Sequence, residues 1–207
     1  MNIETLSLGP LGTNCYIIWK KQHALVIDPG GDSRTIISFC EKNDLDPQAI
    51  LLTHAHFDHI GALEALRNFY GIEVYLHDHE AEWLEDPQLN GSVLFTGEKI
   101  KTKRPEHSLQ PGNLTISDFS FRVLHTPGHS PGSVSFVSNE AKVVFGGDVL
   151  FQQGIGRTDL PGGNYQQLLK SIHEQLYPLD DEYTVYPGHG PATTLGTEKR
   201  LNPFLQR

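Results

Sequence analysis

Thr53-His54-Ala55-His56-Phe57-Asp58-His59 follows the apolar run Ala49-Ile50-Leu51-Leu52 and precedes a segment with helical spacing. Four side chains able to ligate a metal therefore crowd a loop where a strand gives way to a helix, the kind of position where binding and catalytic groups concentrate. With eleven histidines in 207 residues, the pattern His-x-His-x-Asp-His arises by chance in roughly one of several hundred such chains. Three further candidates occupy equivalent places: His129 in Thr126-Pro127-Gly128-His129, Asp148 in Gly146-Gly147-Asp148, and His189 in Pro187-Gly188-His189-Gly190. Each follows a strand-like run and adjoins glycine, which allows a loop the backbone angles and close approach needed to deliver its ligand. Imidazole and carboxylate without thiolate suit zinc, iron or manganese. Seven ligands are too many for one tetrahedral ion, so two metals are implied. Paired ions about 3.5–4 Å apart share a water, depress its pKa toward ~7 and polarise a carbonyl beside it.

Outward from this loop, the chain reads as strands and helices in alternation. Ile3 to Leu8, Cys15 to Trp19 and Ala24 to Ile27 are short, rich in β-branched and aromatic residues, and bounded by turn formers. Asp32-Ser33 starts a helix carrying Ile36, Ile37, Phe39 and Cys40 and ending near Asn43. The strand Ala49 to Leu52 leads into the ligand loop. A helix from about Ile60 places Leu63, Leu66 and Phe69 on one face until Gly71, and Glu73 to Leu76 returns to strand. Leu114 to Ile116, Phe121 to Leu124, Val134 to Val137 and Val143 to Phe145 predict a second sheet, with a helix from about Tyr165 to Leu176 and a strand near Tyr183 to Tyr186. Two sheets flanked by helices fit this order, and one domain over 1–207 is expected.

Composition narrows the function. A net charge of -9, from 16 basic and 25 acidic residues, argues against nucleic acid as a partner, since that binding rests on clustered Lys and Arg. No apolar run approaches the ~20 residues of a membrane helix. Met1-Asn2-Ile3-Glu4 lacks the basic start of a secretory signal. A cytoplasmic protein without membrane contact is expected, with Cys15 and Cys40 reduced and buried. Asp28, in Asp28-Pro29-Gly30, reads first as a turn former and only secondarily as support for the ligands. Arg157 divides evenly between an anion contact and a loop brace. His23, His77, His79, His107, His125 and His173 are left outside the site, and Glu80, Glu82, Glu85 and Asp86 read as the solvated side of a short helix.

With these ligands in order, the chain resembles the metallo-β-lactamase superfamily over nearly its whole length. Within it the likeness is greatest to glyoxalase II, the hydroxyacylglutathione hydrolases. The likeness rests on Pro10-Leu11-Gly12-Thr13-Asn14-Cys15-Tyr16, Asp28-Pro29-Gly30, Gly147-Asp148 followed by Gly156-Arg157-Thr158-Asp159, and Pro187-Gly188-His189-Gly190. It implies an α/β fold, the four-layer αββα sandwich. It also implies that His54, His56 and His129 hold one ion, that Asp58, His59 and His189 hold the other, and that Asp148 bridges. Two divalent ions, zinc first and iron or manganese otherwise, are the expected cofactors. Asp58 would orient the nucleophile as well as coordinate. The expected substrate is a small thioester such as S-lactoylglutathione. Full-length glyoxalase II enzymes add a C-terminal helical domain that helps bind glutathione, whereas this chain ends soon after His189, which leaves the thiol carrier open. A carboxylate at 148, where one large class of metallo-β-lactamases has Cys, points to thioesters and related esters rather than β-lactams. The alternatives are a persulfide dioxygenase with one iron, whose family shows Pro-Ala-His-Asp at 187–190, and a lactonase or phosphodiesterase of the same superfamily.

Overall fold

Alternating burial along Asn2–Leu8 (β1) and nearly continuous burial along Thr13–Lys20 (β2) and His23–Ile27 (β3) mark an edge strand followed by two covered on both faces. The structure is a computed structural model that describes residues 1–206; Arg207, the last position of the expected 1–207 domain, lies outside them. The chain divides into two compact units, one comprising Met1–Leu109 with Thr115–Phe119, the other Gln110–Leu114 with the chain from Ser120 onward.

The first sheet runs in the order β1-β2-β3-β4-β5-β6, with β4 at Asp46–Leu51, β5 at Glu73–His77 and β6 at His107–Leu109. β1, β2 and β3 are antiparallel neighbours; β3 through β6 pair in parallel. Parallel neighbours require crossovers. These are supplied by α1 (Ser33–Lys42) after β3, and by α2 (Phe57–Ile60) and α3 (Leu63–Tyr70) after β4. Ile36, Cys40, Leu63 and Leu66 of the helices pack in one core with Val26, Ile50 and Val74 of the sheet. The expected apolar face of α3 needs correcting at one residue. Phe69 is 56% exposed, because at 100° per residue Leu63, Leu66 and Tyr70 fall on one side and position 69 does not. Arg67 is buried instead, its guanidinium donating to Glu64 and to the carbonyls of Lys103 and Arg104. A 3₁₀ turn over Asp78–Leu84 and the short helix α4 (Ser92–Thr96) follow β5.

The second sheet has the order β14-β13-β10-β9-β8-β7. Its strands are β7 (Gly112–Ile116), β8 (Phe119–His125), β9 (Val134–Ser138), β10 (Val143–Gly147), β13 (Thr184–Pro187) and β14 (Thr193–Thr194). A two-stranded hairpin, β11 (Leu150–Phe151) with β12 (Gly154–Ile155), stands apart from it. Leu168, Ile172, Leu176 and Leu195 cover Val137, Val144 and Val185. The first three lie where one helix was expected, realised as α5 (Tyr165–Ser171) and a π-helical turn (Ile172–Leu176). The chain ends in α6 (Leu195–Leu201), whose Glu198 is fully buried and accepts from Gln153 N–H, Thr193 Oγ1 and Asn202 Nδ2. Among the described residues no helix is long and apolar enough to cross a membrane.

Candidate metal centre

In the first unit the ligands stand on the loop after β4 and on α2. His54 and His59 are fully buried, and His56 and Asp58 nearly so. Donor atoms of His54 and His56, of His54 and His59, and of Asp58 and His59 come within 4.8 Å of one another. Such crowding of imidazoles without solvent needs an organising framework, and a second carboxylate provides it. Asp28 is 1% exposed at the end of β3. Its Oδ1 accepts from Thr53 N–H at 2.7 Å, and its Oδ2 accepts from Thr53 Oγ1 at 2.6 Å and from His59 Nδ1 at 3.0 Å. Since the Thr53 hydroxyl gives its proton to Asp28, it receives one from His54 Nδ1 at 3.1 Å. Thr13, in the motif after β1, donates to Asp58 Oδ2 at 2.8 Å. Between His54 and His56, the Ala55 N–H donates to Glu80 at 2.6 Å.

The second unit holds a carboxylate between two imidazoles. Asp148 Oδ2 lies 3.6 Å from His129 Nε2 and 3.6 Å from His189 Nε2. His129 Nδ1 sits 2.8 Å from the Arg157 carbonyl, which only accepts, so Nδ1 carries the proton and Nε2 the lone pair. Glycine allows this closeness: a Cβ on Gly156 would stand 1.9 Å from the Asp148 carbonyl oxygen. Arg157 itself clasps Asp159 through Nε and Nη2 at 2.7 and 2.8 Å. That hydrogen-bonded guanidinium pulls the Asp159 carboxyl down to about 2.

The donor set fits divalent metal ions. In His54, His59 and His129 the Nδ1 proton is taken by a hydroxyl, a carboxylate and a carbonyl respectively. The remaining nitrogen, Nε2, is then the one presented for coordination, as in the carboxylate–histidine–metal arrangements of metalloproteins. The carboxylate in each unit supplies negative charge of the kind that divalent cations require.

Three supporting residues were missed or ranked low in the sequence reading. Asp28 was read first as a turn former and only second as support for the ligands, although it directly follows the apolar run Ala24 to Ile27, the one signal available. Thr13 showed itself only as part of a motif. Glu80 overturns an expectation outright. Placed on a solvated face, it is 0% exposed, because the 3₁₀ turn directs it inward beneath the ligand loop. His125 donates from Nε2 to the Pro131 carbonyl at 3.0 Å. His77 is buried against the His79 ring, at 4.6 Å between centroids.

Histidines and carboxylates carried just past the ends of β4, β8, β10 and β13 in a mixed α/β fold define a metal-dependent hydrolase class. A family model described as the metallo-β-lactamase superfamily matches residues 8–189, and the chain belongs to that superfamily. A probable metallo-hydrolase of Bacillus subtilis is 48% identical, covering 99% of this chain and 98% of that protein. The hydroxyacylglutathione hydrolase GloC of Haemophilus influenzae is 41% identical over 99% of this chain and 98% of its own. Among solved structures, BLEG-1, a B3 metallo-β-lactamase, aligns over 100% of both chains with a TM-score of 0.97 and 51% identity. TTHA1623 in a di-iron-bound form aligns with a TM-score of 0.88 and 41% identity over 98% of this chain and 100% of that one. The fold is therefore the metallo-β-lactamase fold, the αββα class expected.

Proposed function

We propose that the chain is a dinuclear-metal hydrolase of small thioesters. In this reading His54, His56 and His129 hold one divalent ion, Asp58, His59 and His189 the other, and Asp148 bridges them. The observation that carries it is Asp148 Oδ2 equidistant at 3.6 Å from His129 and His189, the position of a shared ligand. Two such ions, when bound, supply hydroxide at neutral pH and polarise the scissile carbonyl. The chain does the rest. Thr13 fixes the Asp58 carboxylate, which orients the attacking oxygen. Asp28 and Thr53 hold His54 and His59 in the tautomer that presents Nε2. A thiol leaves with a conjugate acid pKa near ~8.5 and needs little protonation, so no separate general acid is required. The 41% identity to a hydroxyacylglutathione hydrolase over almost the whole of both chains supports the thioester. The di-iron relative supports two ions and makes iron a candidate alongside zinc.

A second reading, β-lactam hydrolysis, is favoured by 51% identity to a B3 metallo-β-lactamase over both whole chains. One experiment separates the readings: metal content per chain, with hydrolysis of S-lactoylglutathione, a simple lactone and a β-lactam, for wild type and His59→Ala. The expected result is two metals, preference for the thioester, and a loss in the variant beyond the about 10–100-fold typical of supporting residues. Preference for the β-lactam would install the second reading. One iron per chain with oxygen uptake on glutathione persulfide, and no hydrolysis, would replace both with a dioxygenase.

A further inference from the structure

The segment from Gly156 to Asn164 carries none of the ligands, yet it is fastened beside His129 at both ends. At its start the Gly156 N–H donates to the Val149 carbonyl at 3.3 Å, and a Cβ at 156 would stand 3.2 Å from the His129 Cβ. At its end the Asn164 N–H donates at 2.7 Å to the carbonyl of Gly128, the chain neighbour of His129. Between these ends the segment folds back on itself. The Gly163 N–H donates to the Leu160 carbonyl at 2.9 Å, and a Cβ at 163 would stand 2.4 Å from the Thr158 carbonyl oxygen.

Within this strap Arg157 grips Asp159 through Nε and Nη2 at 2.7 and 2.8 Å. The two side chains are 51% and 69% exposed, and an ion pair so placed adds little to stability. Its effect is geometric, because two parallel bonds from a planar guanidinium fix the turn over 157–159. The carbonyl of that same Arg157 takes the Nδ1 proton of His129 at 2.8 Å. On the opposite side of the ring, Nε2 lies 3.6 Å from Asp148 Oδ2. A neutral imidazole has one ring proton for its two nitrogens. Were the carbonyl to draw back, the charged carboxylate, a stronger acceptor than a peptide oxygen, would capture that proton at Nε2. The lone pair would then point away from the ligand cluster.

We propose that the Arg157–Asp159 clasp is a tautomer lock for His129. It is a positioning pair rather than an anion contact: it holds the Arg157 carbonyl at Nδ1 and so keeps Nε2 unprotonated for a metal ion. The inference rests on the reading of His129 as a ligand and assigns what sets that ligand's tautomer.

The test reads the ring itself, in the full chain stripped of metal, by long-range proton–nitrogen correlation at a pH of about 8.5, above the ordinary histidine range. His129→Gln identifies the resonances. The variants are Arg157→Gln, Asp159→Asn and the two together. The control is Lys142→Gln, which opens another exposed pair of the same unit, Lys142 with Asp180 at 3.0 Å. Wild type and control are expected to show the Nδ1–H form. Each single variant is expected to add the Nε2–H form and to lose about tenfold in zinc affinity by competition with a chelator. The double variant is expected to be no worse than either single one, as for two residues acting as a unit, and all melting temperatures stay near that of wild type. An unchanged tautomer in the three variants overturns the proposal. So does a loss in Arg157→Gln that Asp159→Asn does not share, because Arg157 would then act alone, as an anion contact does. Should the wild type bind no zinc, the metal reading falls, and the ring spectra still judge the lock: a shift toward Nε2–H in the variants upholds it, and none overturns it.

Discussion

At the scale of single residues the arrangement turns on buried carboxylates that touch no substrate. Asp28 collects three donors from residues 53 to 59, two from Thr53 and one from His59. Asp28→Ala strands those donors without solvent, and each buried unsatisfied group costs about 1–3 kcal/mol. The variant is expected to lose more than about 3 kcal/mol by urea unfolding and about 10–100-fold in metal affinity by competitive titration. Asp28→Asn keeps an acceptor for Thr53 but loses the charge facing His59, so its metal affinity falls while its stability falls less. Glu80→Ala removes the acceptor for Ala55 N–H and is expected to cost about 1–3 kcal/mol, most of it restored in Glu80→Gln, whose carbonyl still accepts. Asp159 behaves differently. Its carboxyl is lowered to about 2 by Arg157, so its pairing is complete above the ordinary carboxylate range and is lost only as pH falls through about 2. A carbon-13 titration of that carboxyl is expected to show its midpoint there, and activity lost on mild acidification would have another origin.

Elements tell which parts of the fold were legible. The strands before and after the ligand loop could be read from apolar runs such as Ala24 to Ile27 and Val143 to Phe145, because local patterning decides a strand buried on both faces. α4 and α6 went unread, since five and seven residues are too few for a period to emerge. The burial of Glu198 and Glu80 was equally hidden. Their partners Gln153 and Ala55 lie 45 and 25 residues away, and nothing local distinguishes such a glutamate from a solvated one. The same holds for Asp28 and His59, 31 residues apart. Two predictions belong here. Gly128 has φ of 134°, and a Cβ there would stand 2.2 Å from the Leu168 backbone nitrogen. Gly128→Ala is therefore expected to cost about 3 kcal/mol or more by urea denaturation, through backbone strain and displacement of α5. Glu198→Ala leaves three donors around α6 without an acceptor and is expected to destabilise by about 3 kcal/mol, measured in the same way.

For the whole molecule, all seven ligand candidates could be singled out in the sequence, because metal ligands are drawn from a few residue types, His, Cys, Asp and Glu, and glycines beside them mark tight approach. What surrounds them was not visible, since supporting groups have no required residue type and reach the site from distant segments. The carboxylates at 28 and 80 accept from the Thr53 and Ala55 N–H groups and from His59 Nδ1, so the ligand loop is braced from within the polypeptide. Chelation is accordingly expected to leave a single cooperative unfolding transition, with the melting temperature lowered by roughly 10 °C, as loss of about 4 kcal/mol of ligand stabilisation implies for this size. Loss of the transition would show that the metal itself shapes the loop. A ligand loop braced from within the polypeptide has a consequence for supply. Ions are expected to exchange without the chain unfolding, so the metal found in the enzyme would follow the stocks and traffic of the cell that makes it. Preparations from iron-rich and zinc-rich cultures would then differ in metal content while sharing one fold.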